Sequence, residues 1–104
     1  MDDRPVRLLN LIHCPDDDCA EVERVATRLT EVALRGGHAE RAELMRDLND
    51  ASRFVMLLEF ASEARLRQYF ADPERLQILD DVATTLHEGV ERLELAPVEV
   101  AARR

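Results

Sequence analysis

Residues 54–60 read Phe54-Val55-Met56-Leu57-Leu58-Glu59-Phe60, an apolar run broken by a single charge. The run is shorter than the roughly 10–12 residues of a buried helix, so it reads as a strand. Alternation puts Phe54, Met56, Leu58 and Phe60 on one face and Val55, Leu57 and Glu59 on the other. Both faces carry large apolar side chains. A sheet packed on one side and wet on the other would instead alternate to polar.

The neighbouring segments organise around this strand. Upstream, Leu48-Asn49-Asp50-Ala51 has turn composition, and residues 38–48 can form a preceding strand with Ala42 and Leu44 on one face. Together the two strands predict a hairpin. Downstream, Ser62 is placed to cap a helix carrying Glu63 in its first turn and Leu66, Tyr69 and Phe70 on its apolar side. Asp72-Pro73 restarts a helix whose stripe is Leu76, Leu79, Val82, Ala83 and Leu86, ending at Gly89. Residues 90–100 alternate in part and predict a last strand, with Pro97 favouring an edge or an end.

At the other end, Val6–His13 forms an apolar run interrupted by Asn10 and bounded by Pro5 and Pro15, again a strand. Asp16, Asp17 and Asp18 suit a helix N-terminus. Val22, Val25, Ala26, Leu29, Val32 and Ala33 recur at helical spacing up to the stop at Gly36-Gly37, so a helix is expected over 17–35. The order is β-α-β-β-α-β. That is the ferredoxin-like arrangement: an α+β subunit with an antiparallel sheet, in one domain over residues 1–104.

Composition narrows the function. The formal net charge is −8, which repels phosphate backbones and anionic lipid, so neither nucleic acid nor a membrane surface is an expected partner. All fourteen basic residues are arginine, and without lysine no Schiff-base chemistry is available. No apolar run approaches the roughly 18 residues of a membrane span. Met1-Asp2-Asp3-Arg4 is not the start of a signal peptide, so a cytoplasmic location is expected, with Cys14 and Cys19 as thiols.

The two-sided apolar strands predict more than one packing partner. If helices cover one face, leaving the other wet forgoes roughly 1.5–3 kcal/mol of burial for each large side chain. A second copy covering that face, with a cavity left between sheet and helices, satisfies both sides and gives a dimeric α+β barrel. The alternative is a monomer whose own loops and long side chains cover the sheet.

Three stretches then resemble the antibiotic biosynthesis monooxygenase family of the dimeric α+β barrel superfamily. They are Leu9-Asn10-Leu11-Ile12, the segment from Leu44-Met45-Arg46-Asp47 to Arg53 and Phe60, and the segment from Ser62-Glu63-Ala64 to Phe70-Ala71-Asp72-Pro73. The resemblance implies a homodimer and a small aromatic ligand. It implies oxidation of an anthrone-type aromatic intermediate to a quinone with O₂ and no cofactor. Asn10 matches a pocket asparagine of that family, whose amide can bond a carbonyl or developing enolate oxygen. The family's tryptophan at the end of the third strand is Phe60 here, which keeps an aromatic wall and loses an N–H donor. Haem-degrading relatives need a histidine roughly where Leu79 stands, so haem is not expected.

The candidate residues follow. Asn10 would orient substrate, Phe60 and Tyr69 would stack on it, and Met56, Leu58 and Ile12 would wall the cavity. His13 and Glu59 are candidate bases for a cyclase or isomerase. By alternation His13 points away from Asn10, so His13 is equally a strand-end residue, and Glu59 equally the partner of an arginine. His38 is expected to be exposed and His87 to sit near a helix C-terminus. His13, Cys14, Asp16 and Cys19 match no standard metal-ligand spacing, so no metal is expected. A non-oxidising small-molecule binding protein on the same scaffold is the alternative from another class.

Overall fold

In a computed structural model, residues 4–14, 19–82, 90–99 and 101 are described. Two strands set the frame. β1 (Val6–His13) and β3 (Arg53–Phe60) pair antiparallel along their whole length, Val6 opposite Phe60 and His13 opposite Arg53. β2 (Ala39–Arg46) joins the far side of β3, and β4 (Val90–Leu95) joins the far side of β1. The order β2-β3-β1-β4, antiparallel throughout, is that of a ferredoxin-like sheet. The β2–β3 reversal is fixed locally: Asn49 N–H donates to Asp47 Oδ1 at 2.8 Å, and Arg53 N–H donates to the Asp50 carbonyl at 3.0 Å.

Helix α1 (Cys19–Arg35) buries the stripe expected from its spacing, Val22, Val25, Ala26, Leu29, Val32 and Ala33. It ends in a Schellman motif. His38 N–H donates to the Ala33 carbonyl and Gly37 N–H to the Leu34 carbonyl, each at 3.1 Å. Gly37 has φ 70, the left-handed conformation that favours glycine at this position. Helix α2 (Glu63–Phe70) starts at Ser62, which accepts from Arg65 N–H, and buries Leu66 and Tyr69. Helix α3 (Pro73–Asp80) starts at Asp72, which accepts from the Glu74 and Arg75 N–H groups, with Pro73 in its first turn.

Two expectations shift here. The buried residue of α3 is Ile78, while Leu76 is exposed, because Asp72 caps the helix in a phase that turns Ile78 to the core. The helix closes at Asp80, and Ala83, Leu86, His87 and Gly89 lie outside the described residues. β4 closes at Leu95, short of Pro97, at a sheet edge.

The sheet has two unlike faces. Toward the helices point Leu8, Ile12, Phe54, Met56, Leu58 and Phe60, all buried. The outer face carries Leu9, Leu11, Val55 and Leu57, half-buried, flanked by Met45, Leu93 and Leu95, exposed. Leu9 sits opposite Leu57 on one side and Leu93 on the other, so these side chains form one continuous apolar patch.

The thiols expected at positions 14 and 19 are instead a disulfide. Cys14 follows the end of β1 at His13 and Cys19 opens α1, and their Cα atoms lie 5.2 Å apart, inside disulfide range. Cys14 is buried, and its backbone N–H donates to the Ser52 carbonyl at 2.8 Å, which ties the bridge to the β2–β3 turn. Closing so short a loop stabilises the fold by about 2 kcal/mol on chain-entropy grounds. Reduction, or the paired change of Cys14 and Cys19 to serine, is therefore expected to lower the melting temperature by roughly 10 °C. A scanning-calorimetry trace unmoved by reductant would contradict the bridge.

Candidate functional site

Between the sheet and the helices lies a cavity of about 550 Å³, within the size range of small-ligand sites. β1 contributes Asn10 and Ile12, β3 contributes Met56, and α1 contributes Leu29. Helices α2 and α3 contribute Tyr69, Phe70, Arg75 and Leu79, and β4 contributes Val90 and Arg92. The register explains why these side chains meet. Asn10 is directly opposite Met56 on one neighbouring strand and Arg92 on the other, so all three share the helix-facing side.

Asn10 is the conspicuous group. Its Oδ1 is buried and has no hydrogen-bond partner among the described residues, while the residue lines the cavity. A buried amide oxygen without a partner costs about 1–3 kcal/mol, so an unexplained one marks a place where something is missing.

The aromatic wall is built in layers. The Tyr69 ring centroid lies 6.0 Å from that of Phe70 and 5.7 Å from that of Phe60. Tyr69 and Phe70 line the cavity, whereas Phe60 and Leu58 are buried behind it. The Arg75 guanidinium sits 5.1 Å from the Tyr69 centroid, and the Tyr69 hydroxyl lies 3.5 Å from the Leu29 carbonyl, a long hydrogen bond. Burial pushes the Tyr69 hydroxyl above its ordinary pKa, and nearby Arg75 pulls it partly back, so the phenol stays protonated at neutral pH.

The structure thus brings together Asn10, Ile12, Met56 and Tyr69, with Phe60 and Leu58 as backing. It does not bring His13 or Glu59 to them. His13 is an exposed strand-end residue whose Nδ1 lies 3.3 Å from Ser52 Oγ. Glu59 is on the outer face, ion-paired with Arg7 at 3.1 Å and Arg41 at 3.6 Å within its own sheet.

Reading the sequence alone missed Arg75 and Arg92. Arg92 has the parity of Asn10 only once the β1–β4 register is known. Arg75 reaches the cavity only because Pro73 starts a new helix turned across Phe70.

His38 also differs from expectation. It is half-buried, its Nε2 lies 2.7 Å from Asp72 Oδ2, and its ring fills the space that a Cβ at Gly36 would occupy. Toward an ionised carboxylate that nitrogen must donate. The hydrogen bond from His38, then those from the Arg75 and Glu74 N–H groups, hold Asp72 below the usual carboxylate range. The sign follows. A carboxylate whose pKa is depressed by folding stabilises fully above its unfolded pKa, near 3.9, and loses that contribution as pH falls through the folded value. Asn at position 72 can still cap α3. Asp72→Asn is therefore expected to be less stable than wild type near pH 5, the gap closing as pH falls below about 4. Urea melts between about pH 5 and pH 2 check it, and a gap independent of pH there would contradict the stabilising hydrogen bonds to the Asp72 carboxylate.

Fold and cavity together define a class: ferredoxin-like α+β chains, the fold of solved structures that bear antibiotic biosynthesis monooxygenase names. SnoaB, a cofactor-independent oxygenase from Streptomyces nogalater solved as a mutant, is 19% identical, with 98% of this chain and 100% of that chain covered and a TM-score of 0.80. Rv0793 from Mycobacterium tuberculosis is 16% identical over 94% of this chain and 99% of its own, with a TM-score of 0.82. A Nitrosomonas europaea protein provisionally named an antibiotic biosynthesis monooxygenase is 13% identical over 94% of each chain, with a TM-score of 0.80. At these identities the likeness is one of fold. No family model and no curated protein sequence matches the chain. No helix among the described residues is long and apolar enough to cross a membrane.

Proposed function

We propose that this chain is a cofactor-independent oxygenase, or a closely related tailoring enzyme, acting on an aromatic polyketide-like intermediate. The observation that carries this reading is the unpartnered Asn10 Oδ1 at the wall of a cavity lined, apart from Arg75 and Arg92, by aromatic and aliphatic side chains. The reaction converts a ring methylene to a carbonyl: one O₂ is consumed, one oxygen atom enters the product and the other leaves in water. The substrate's own carbanion supplies the electrons, so the protein has to hold a flat ring, favour its enolate and exclude water. Asn10 orients the ring, its Nδ2–H donating to the carbonyl or enolate oxygen and its unpartnered Oδ1 accepting from a ring hydroxyl, while Tyr69 and Phe70 stack on the ring and Met56 and Ile12 close the sides.

The same reading makes the active species a homodimer of single-domain subunits, each with its own cavity. The outer sheet face supports it. Leu9, Leu11, Val55 and Leu57 form an apolar centre, and the Arg7–Glu59–Arg41 ion pairs border it.

The second reading, a binding protein that turns nothing over, is favoured by one feature. Among the described cavity residues there is no carboxylate or histidine to serve as a base. A cyclase or isomerase using His13 or Glu59 has less support, since both lie on the other side of the sheet. An oxygen electrode separates these readings. With a simple anthrone and chelator-treated protein, the oxygenase reading predicts uptake well above the spontaneous rate, one O₂ per quinone formed. Ligand binding without extra uptake would leave the binding protein.

A further inference from the structure

Six arginines, Arg7, Arg24, Arg35, Arg41, Arg46 and Arg67, each have a carboxylate oxygen within 3.2 Å. Among the described residues Arg28, Arg53 and Arg65 do not, and neither do the two at the cavity, Arg75 and Arg92, which alone of these line a pocket. Arg75 has no carboxylate partner among the described residues, and its Nη1 donates to the Phe70 carbonyl at 3.0 Å. Among the carboxylates of the described residues Arg92 approaches only Glu94, at 4.0 Å, and Glu94 is already held by Arg67 at 2.7 Å. Yet the chain has 22 acidic residues and a net charge of −8, so carboxylates are plentiful.

Both guanidiniums converge on one ring: Arg75 Cζ is 5.0 Å and Arg92 Cζ 4.6 Å from the Phe70 centroid. They therefore lie within about 10 Å of each other, close enough for both to contribute to binding one anionic ligand. Cation–π contact with Phe70 holds them in place without neutralising them. Arg92 is also the strand neighbour of Asn10 on the same sheet face.

We infer that the cavity takes its aromatic ligand as an anion, a carboxylate or an ionised enol held by Arg75 and Arg92, with a polar ring substituent at Asn10. The inference rests on reading this cavity as the ligand site and is independent of whether O₂ chemistry follows. It also answers the missing base: a site that binds an ionised ligand selects the charged form from solution and requires no carboxylate or histidine of its own.

The test is anaerobic calorimetric titration with two matched pairs of probes. One pair is 1-hydroxy-2-naphthoate and its methyl ester, and the other is 2-hydroxy-1,4-naphthoquinone, ionised at neutral pH, and its methyl ether. In at least one pair the anion is expected to bind roughly tenfold or more tightly than its neutral partner, as charge-assisted hydrogen bonds allow. The favoured pair identifies carboxylate or enolate as the natural group. In Arg75→Gln/Arg92→Gln the preference should fall toward unity while the neutral probes still bind. Equal affinity within both pairs for the wild-type protein overturns the inference, and that comparison stands even if the double variant does not fold. A clear preference without O₂ uptake sinks only the oxygenase reading. Uptake without a preference sinks only this one.

Discussion

Asn10→Leu is expected to lower catalysed O₂ uptake about a hundredfold while leaving the melting temperature unchanged or raised. The rate effect comes from losing the Nδ2–H donor, and the stability effect from losing the unpartnered Oδ1. Removing a single oriented hydrogen-bonding group from a site that stabilises developing negative charge costs about 10²–10³ in rate. The same change removes a buried amide oxygen that has no partner among the described residues. Replacing an unsatisfied polar group by an apolar one of similar shape is neutral or stabilising. Asn10 would then be a residue kept for function at a cost in stability. The measurement is a thermal melt beside an initial rate on the same preparation. A fall of several degrees with the rate retained would make Asn10 a structural amide and remove the reading built on it.

Leu57→Glu is expected to convert a dimer into a folded monomer. Leu57 lies at the centre of the outer face, between Leu9 on β1 and Glu43 on β2, and points away from the cavity. Burying a carboxylate there without a partner costs several kcal/mol, enough to weaken association by roughly a thousandfold or more. Sedimentation equilibrium should give twice 11.9 kDa for the wild type and 11.9 kDa for the variant. Helix and strand content should persist, because Phe54, Met56, Leu58 and Phe60 on the other face keep their packing against the helices. A monomeric wild type would contradict the dimer, as would a variant that stays paired.

The legibility of the chain divides along physical lines. Strands β1 and β3 and helix α1 were readable because their periodicity is strong and their ends are marked, by Pro5 and Pro15 and by Gly36-Gly37. Ser62 and Asp72-Pro73 gave the two short helices for the same reason: capping is local chemistry. Alternation within a strand set His13 opposite Asn10, whereas Glu59 stayed a candidate base because its face relative to Asn10 depends on the β1–β3 register.

What could not be read depends on register and on helix phase. Arg92 belongs to the site only because position 10 lies opposite position 92. Arg75 belongs to it only because α3 starts afresh at Pro73. The Asp72–His38 pair joins a helix cap to the residue after a glycine turn, 34 positions apart. The disulfide was missed for a different reason. Five positions of separation fit many arrangements, and the spacing alone does not show that the end of β1 and the start of α1 lie within disulfide reach. Phe60 stands between these cases. Its place at the end of β3 was legible, but Tyr69 lies across it, so it supports the wall instead of facing the cavity.

The most direct test of the central claim is the initial rate of label transfer from ¹⁸O₂ into product, with an anthrone in large excess over chelator-treated protein. The account predicts many turnovers per subunit at a rate far above the spontaneous one, each quinone carrying one oxygen atom derived from O₂. Product formed only at the spontaneous rate, or a new oxygen derived from water, would contradict it.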